Sequence, residues 1–151
     1  MLQLARYEDR FAVNVLAKEM HDMHRGWQPD IYAPAEELYS PEHFEESIRQ
    51  RQLYVAKIDG AIAGYVLLKI HSVNAPGYVF RKIMFVEELC VDPVCRRQGI
   101  GMQMMEDARA LAAAFGCSDM QLTVAPQNDA AVDFYQKCGF MIQNIQMQRK
   151  V

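Results

Sequence analysis

The sequence predicts a mixed α/β fold, because strand-like and helix-like segments occur together and alternate in the second half of the chain. The predicted order of elements is β-α-α-β-β-β-α-β-α-β. The chain has 151 residues, of which 51% are hydrophobic, so it can bury the core of one domain. Alternating strands and helices favour a mixed sheet with helices on both faces. We therefore expect a single domain over residues 1–151.

Two helices are predicted in the first third of the chain. The first begins at Glu8 or Asp9, after a short strand over residues 2–5. The second begins at Ser40, because a hydroxyl N-cap followed by proline favours a helix start. Residues 26–39 between the helices are expected to form a loop and an irregular stretch. The residues expected to face the core are Ala12, Leu16, Met20 and Met23 in the first helix, and Phe44 and Ile48 in the second.

A hairpin and a long strand follow. The Asp-Gly pair at residues 59–60 separates two apolar runs, residues 53–58 and 61–70, and this pattern is typical of a tight β-hairpin. A loop containing proline and glycine, over residues 71–78, leads into the next strand. That strand is predicted to end at Val91.

The second half of the chain predicts two helices and two strands. The longer helix covers residues 102–115 and ends at Gly116, since glycine favours the helix C-terminus. A short strand over residues 121–124, a helix over residues 128–138 and a final strand over residues 140–148 follow. The longer helix is expected to bury Met105, Ala108, Ala112 and Phe115.

Composition excludes several classes of function. The net charge is −3 at pH 7, which argues against a broad nucleic-acid surface. No apolar run reaches the roughly 18 residues of a membrane helix, and the N-terminus has no basic-then-apolar signal. We therefore expect no nucleic-acid or membrane partner and a cytoplasmic location. Without C-x-x-C pairing, the cysteines are expected to be reduced thiols that hold no metal: Cys90, Cys95, Cys117 and Cys138.

The most informative segment is RRQGIG at residues 96–101, between an apolar strand and an amphipathic helix. A glycine turn that opens a helix leaves several backbone N–H groups unpaired at the positive end of the helix dipole. Arg96 and Arg97 lie beside that turn, so the segment predicts a phosphate cradle. A purely structural helix start explains Gly99 and Gly101, but it does not explain the paired arginines.

Two common phosphate-binding motifs are excluded. A dinucleotide fingerprint needs a third glycine where this chain has Met104, and no Gly-Lys pair exists for a P-loop. What remains is Arg-x-x-Gly-x-Gly, formed by Arg96, Gly99 and Gly101 after a strand. A second block about 30 residues later contains Leu122-Thr123-Val124, Asn128, Ala131, Phe134-Tyr135 and Gly139-Phe140.

Together the two blocks resemble the GNAT superfamily of N-acetyltransferases. The resemblance covers essentially the whole chain, is strongest over residues 87–140 and is weak before residue 53. It implies a mostly antiparallel mixed sheet of about six to seven strands, splayed at the cofactor cleft, and acetyl-CoA as the cofactor. By the same resemblance, the pyrophosphate of the cofactor would bind the backbone N–H groups of the glycine turn. The pantetheine arm would bind the backbone of the preceding strand. The implied cofactor-binding residues are Leu89, Cys90, Val91, Arg96, Arg97, Gln98, Gly99, Ile100, Gly101, Met102 and Asn128. Asn128 has a second interpretation as the N-cap of the following helix.

The resemblance also implies catalytic residues. The acidic pair Glu87-Glu88 is similar to that of diamine acetyltransferases, where the first carboxylate is the base and the second helps to hold the amine. Tyr135 is a suitable acid for a departing thiolate, because an unperturbed tyrosine keeps its proton up to a pKa of ~10. Adjacent strand residues face opposite sides of a sheet unless a bulge intervenes, so the orientation of the two glutamates stays open here. A solvated pair of strand glutamates is the alternative.

The acceptor side is less defined by the sequence. By analogy with the family it lies in the N-terminal half, where His24, Trp27 and Tyr32 are candidate substrate-binding residues together with Glu88. His21 and His24 share one side of a helix, but no third metal ligand is near in sequence, so no metal is expected. The run of glutamates at residues 36–46 either steers a cationic substrate or is a solvated surface.

We therefore predict an acyltransferase that moves an acetyl group from acetyl-CoA to a primary amine of a small molecule by direct attack. A peptide or protein N-terminus or lysine is the alternative acceptor. A non-catalytic coenzyme A sensor is the alternative from another class, and retention of Glu87 and Tyr135 argues against it. A homodimer is an expectation by analogy with the family alone.

Overall fold

The computed structural model describes all 151 residues and contains one five-stranded sheet with four α-helices. The strand order is β1-β2-β3-β4-β5, antiparallel except for the parallel β4–β5 pair. This confirms the mixed α/β class. None of the helices combines the length and apolar content needed to cross a membrane. The strands are β1 (Leu2–Leu4), β2 (Leu53–Ile58), β3 (Ala61–Val73), β4 (Arg81–Val91) and β5 (Asp119–Leu122), and the helices are α1 (Arg10–Trp27), α2 (Pro41–Arg49), α3 (Ile100–Ala114) and α4 (Asp129–Lys137).

The predicted turn and cap residues lie where local chemistry requires them. Ser40 begins α2, and its hydroxyl accepts a hydrogen bond from His43 N at 3.1 Å. Asp59 and Gly60 both have positive φ, 50° and 82°, as the tightest hairpin turns require. Gly116 follows α3 with φ 73°. The local signals therefore identified these element boundaries correctly.

The sheet separates two apolar cores. Along β3, Tyr65 and Leu67 point to the side covered by α1 and α2, whereas Val66 and Leu68 point to the side covered by α3. This alternation is the two-residue period of a strand buried on both faces. Helices therefore lie on both faces of the sheet, as expected.

Several helix and strand boundaries differ from their predicted positions because of packing and strand pairing. Helix α1 continues through Gly26 to Trp27, where a loop was expected, and buries Val13 and Ala17 together with Leu16, while Met23 is exposed. Strand β3 runs to Val73 rather than Ile70, because it stays paired with β4 up to the Val73–Arg81 pair. Strand β5 lies at Asp119–Leu122 instead of residues 121–124, because its pairing with β4 begins at Ile83–Asp119.

The predicted last strand is absent, so the expectation of six to seven strands was wrong. Residues 141–151 form no helix or strand, and Met141, Ile145 and Met147 are 88%, 81% and 89% exposed. Their apolar–polar alternation suits a strand, but a strand also needs a neighbouring edge with which to pair. Within this chain β5 pairs only with β4, and the segment stays unpaired. Near its end, Lys150 contacts Asp30.

Candidate active site

The loop before α3 presents a row of unpaired backbone donors. The N–H groups of residues 97–102 donate no hydrogen bond, and the first helical bond runs from Gln103 N to Gly99 O at 3.0 Å. Gly99 is the N-cap of α3 and lies in the left-handed region, with φ 80° and ψ −1°. Unpaired donors at a helix N-terminus attract anions. The loop therefore has the predicted form of a phosphate cradle.

Two glycines of this region allow close packing, and a third leaves open space. A Cβ at Gly64 would lie 2.6 Å from Cys90 O, and one at Gly101 would lie 3.2 Å from the Phe134 ring. At Gly99, in contrast, no atom lies within 4 Å of the position a Cβ would take. The space in front of Gly99 is therefore free for a ligand, whereas Gly101 fits α3 against α4.

The two arginines of the loop have different environments. Arg96 Nε donates to Val91 O at 2.9 Å, and its Nη2 lies 2.8 Å from Glu19 Oε1. Arg97 makes no hydrogen bond or ion pair, is exposed, and has φ 61°. Of the two, Arg97 is the cation that remains free for an anionic ligand.

The open edge of β4 lies next to this loop. Strand β5 pairs with β4 only from Ile83 to Val86, whereas β3 stays paired with β4 up to Val91. Residues 87–91 therefore have one edge with no neighbouring strand, and this is the splayed cleft that the sequence resemblance implied. An extended amide chain can bind such an edge as an added strand.

Side chains along this edge alternate between the two cores. Leu89 and Val91 pack on the α3 side, while Cys90 is buried on the α1 side, with its Sγ 3.7 Å from Leu16 O. Burial raises the pKa of the Cys90 thiol to about 12, so it stays protonated at neutral pH. Cys90 can therefore reach the open edge only through its backbone.

A β-bulge lies where β4 leaves β5. Leu67 pairs with Glu88 and Leu68 pairs with Val86, so Glu87 is the extra residue of β4. Glu87 Oε1 lies 3.6 Å from Lys69 Nζ, and Lys69 projects from the same face of β3 as Leu67. The bulge thus brings the Glu87 and Glu88 side chains to the same face, the face of α1 and α2. This settles the orientation that the sequence left open.

Two buried tyrosines hold Glu88. Tyr65 Oη donates to Glu88 Oε2 at 2.7 Å, and Tyr39 Oη donates to the same oxygen at 3.0 Å. Tyr39 is 1% exposed and Tyr65 is 0% exposed. This burial, with a further contribution from the Glu88 charge, raises the pKa of both tyrosines. Glu88 Oε1 makes no hydrogen bond and is reached by solvent. Sequence reasoning missed both tyrosines, although a tyrosine inside an apolar strand usually has a partner for its hydroxyl.

Tyr135 lies on the opposite side of the open edge. It belongs to α4 and packs on the α3-side core, with its ring centroid 5.2 Å from that of Phe134 and 5.9 Å from that of Phe140. Burial raises its pKa to about 12, and its hydroxyl makes no hydrogen bond within the chain. Tyr135 therefore carries an available proton at neutral pH.

Asn128 acts as the N-cap of α4. Its Oδ1 accepts a hydrogen bond from Ala131 N at 3.1 Å, which confirms one of the two interpretations of this residue. Its Nδ2 donates to no group of the protein. Beside the loop, a cavity of about 420 Å³ lies between α3 and the end of α4, lined in part by Gly99, Met102 and Lys137.

The acceptor-side candidates form an aromatic cluster at the end of α1. The His24 ring centroid lies 5.5 Å from that of Trp27 and 5.6 Å from that of Tyr32. His24 Nδ1 is 2.8 Å from Met20 O, and His21 Nε2 is 2.7 Å from Ala33 O. No group of three or more histidine, cysteine, aspartate or glutamate side chains is arranged to hold a metal.

The glutamates of the α1–α2 region are partly neutralised. Glu37 contacts Arg10 and Glu46 contacts Arg49, while Glu36 Oε2 lies 3.9 Å from Lys18 Nζ. These exposed pairs favour the interpretation of a solvated surface over a strongly acidic substrate funnel.

Comparison with known proteins agrees with this geometry. A sequence model described as the acetyltransferase (GNAT) family matches residues 17–140. An uncharacterized N-acetyltransferase of Methanocaldococcus jannaschii is 28% identical over 87 residues, 58% of this chain. The match covers 38% of that relative, so the chain spans well under half of its length.

Solved structures share the fold along the whole chain. A protein of Bacillus halodurans, solved as a point mutant, has a TM-score of 0.94 at 24% identity, over 100% of this chain and 99% of that one. An aminoglycoside N-acetyltransferase solved with CoA has a TM-score of 0.72 at 18% identity, over 100% and 99%. With the family match extending over residues 17–140, the chain belongs to the GNAT family of acetyltransferases.

Proposed function

We propose that this chain is an acyltransferase that moves the acetyl group of acetyl-CoA to a primary amine of a small molecule by direct attack. The observation that carries the proposal is the bulge in β4, which places the Glu87 and Glu88 carboxylates on one face beside the open edge of the strand. Two carboxylates beside one cleft attract a cationic group, and an amine acceptor is an ammonium ion at neutral pH. The aminoglycoside acetyltransferase that shares the fold acts on a small amine, which supports the same substrate class.

The residues present fit acetyl-CoA. The unpaired N–H groups of residues 98–102 and the free Arg97 cation suit its pyrophosphate. The open backbone edge at Leu89 and Val91 suits the amides of its pantetheine arm. When bound, acetyl-CoA supplies an acetyl group activated as a thioester.

The side chains around the open edge have complementary roles in this proposal. Glu87, which is solvent-reached, takes a proton from the acceptor ammonium through one water, since such an amine has a pKa near ~10 and must lose a proton to become nucleophilic. Glu88 holds the ammonium by charge. Tyr135 keeps its proton at Oη and donates it on the opposite side of the edge, where thiolate charge develops.

The segment between α1 and α2 supports a small acceptor. Asn14 Oδ1 accepts from Leu38 N at 3.1 Å and from Tyr39 N at 2.9 Å, while its Nδ2 donates to Tyr39 O at 3.0 Å. These bonds fix the segment against α1, on the face of the sheet that carries Glu88. His24, Trp27 and Tyr32 lie near the beginning of the same segment and would contact the rest of the acceptor. A covered acceptor side favours a compact amine over a polypeptide.

Release of free thiol from acetyl-CoA tests the proposal, with polyamines, aminoglycosides, amino acids and short peptides as acceptors. We expect release that depends on a small amine and that falls in Glu87→Gln. Glu8→Gln, an exposed glutamate outside the site, is the matched control and is expected to behave as wild type. Tight acetyl-CoA binding without release for any acceptor would instead support a sensor, and release with peptides alone would support a polypeptide acceptor.

We also propose a homodimer and a cytoplasmic location. The exposed apolar residues Met141, Ile145 and Met147, together with the unpaired outer edge of β5, support self-association. Four free cysteines support a reducing compartment. Light scattering of the purified chain at several concentrations distinguishes a dimer from a monomer.

A further inference from the structure

We infer that Tyr39 and Tyr65 are positioning residues for the acceptor amine, because their hydroxyls fix one oxygen of Glu88 and leave the other free. Both hydroxyls donate to Oε2, at 3.0 and 2.7 Å, and neither has another acceptor. Oε1 is the oxygen that remains for an ammonium group. The inference rests on the proposed function, since it gives Glu88 the role of an amine anchor.

The tyrosines can fix the carboxylate because each is itself held. Tyr65 lies on β3, three residues before the bulge partner Leu68, and is fully buried. The Tyr39 carbonyl accepts from Asn14 Nδ2 at 3.0 Å and from Arg10 at 3.2 Å. The two tyrosine rings pack edge to face with centroids 6.3 Å apart, and His43 stacks on Tyr39 at 5.2 Å.

Two hydrogen bonds to one carboxylate oxygen have two consequences. They occupy Oε2, so that Oε1 is the carboxylate oxygen with which an incoming cation can pair. They also fix the direction of the carboxylate, so an incoming ammonium meets an anchor that is already oriented. The high pKa of both tyrosines ensures that each donates rather than ionises at neutral pH.

The first test follows the Glu88 carboxylate directly, without turnover. Its ¹³C resonance, assigned by its loss in Glu88→Gln, is compared at neutral pH in wild type, Tyr39→Phe and Tyr65→Phe. We expect the resonance to move in each variant and further in the double variant, since each loses one of the two donors to Oε2. An unchanged resonance in both single variants would overturn the inference.

Tyr54→Phe is the matched control for this comparison. Tyr54 lies on β2, is 4% exposed, and its buried hydroxyl has no hydrogen-bond partner. Its substitution removes a tyrosine hydroxyl that makes no hydrogen bond to Glu88. We expect the Glu88 resonance of Tyr54→Phe to equal that of wild type, and an equal movement in this variant would attribute the effect to the fold rather than to the two donors.

Kinetics supply the second test. We expect Tyr39→Phe and Tyr65→Phe to raise the acceptor KM about tenfold and leave the acetyl-CoA KM unchanged. A parallel loss for both substrates indicates a merely structural role and overturns the inference. Amine turnover in variants whose Glu88 resonance does not move supports the proposed function and overturns the role of the tyrosine pair. A moved resonance in a protein that acetylates no amine supports the fixed carboxylate and contradicts amine transfer.

Discussion

Arg96 joins the loop before α3 to α1 through Glu19: its Nη2 lies 2.8 Å from Glu19 Oε1, while its Nε donates to Val91 O at the end of β4. From the sequence motif, Arg96 and its neighbour Arg97 are equally good candidates to bind an anion. In the structure, Arg96 connects the loop, β4 and α1, whereas Arg97 has no hydrogen-bond or ion-pair partner. One side chain thus links the glycine turn to the helix whose last turn carries His24 and Trp27.

We predict that Arg97→Asn weakens acetyl-CoA binding about tenfold at low salt, because it removes a free cation beside the pyrophosphate site. Asparagine is chosen because it tolerates the positive φ of this position. Calorimetry at two salt concentrations measures the effect, which is expected to shrink at high salt. Arg96→Gln is the comparison: we expect a lower melting temperature and a smaller change in affinity. The reverse order of affinities would show that Arg96 turns to the phosphate on binding.

We predict that Gly99→Ala lowers acetyl-CoA affinity, because its Cβ enters the open space in front of the unpaired N–H groups. The left-handed backbone also costs any L-residue ~1–2 kcal/mol of stability. Gly116→Ala separates the two effects, since Gly116 has a similar φ, 73°, and equally open surroundings at the other end of α3. Both variants should have a lower melting temperature than wild type, and only Gly99→Ala should bind acetyl-CoA more weakly. Equal affinities would contradict the cradle.

We predict that Gly64→Ala destabilises the protein by about 1–3 kcal/mol, because its Cβ would lie 2.6 Å from the backbone oxygen of Cys90. Backbone cannot move aside as a flexible side chain does, so β3 and β4 must separate beside the cofactor edge. Thermal unfolding measures the loss, at ~2–4 °C per kcal/mol for a chain of this size. Gly26→Ala, with nothing within 4 Å, is the control, and it should stabilise α1 by ~0.5 kcal/mol.

We predict that Tyr135→Phe lowers kcat about 100-fold while acetyl-CoA affinity stays near that of wild type, since the hydroxyl serves as a proton donor. Burial raises the pKa of Tyr135 to about 12, so the donor form is present below that pH and is lost only as the pH rises through it. Its contribution to turnover should therefore stay constant from pH 7 to 10, where an ordinary tyrosine begins to ionise.

Tyr78→Phe, on the exposed tip of the β3–β4 hairpin, is the control for this substitution and should retain full turnover. If Tyr135→Phe mainly raises the Kd for acetyl-CoA, the hydroxyl binds the cofactor and does not protonate the product.

Local sequence patterns predicted much of the fold and part of the candidate site. Ser40, the Asp59-Gly60 pair and Asn128 each act through their own backbone neighbours, so their roles were visible in the sequence. The glycine turn at residues 96–101 is equally local. In contrast, residues 140–148 have a strand pattern without a strand, because pairing depends on an edge that the local pattern does not supply.

Short-range periodicity, caps and motif spacing were enough to predict the fold class, the family and the glycine turn before α3. The arrangement of the candidate site residues, in contrast, depends on the tertiary structure. The bulge at Glu87, which turns two adjacent glutamates to one face, exists only in the register between β3 and β4. The Tyr39 and Tyr65 bonds to Glu88 join residues 49 and 23 positions apart, and the Arg96–Glu19 contact spans 77. Contacts over such separations depend on how the whole sheet and its helices pack, and no local pattern encodes them.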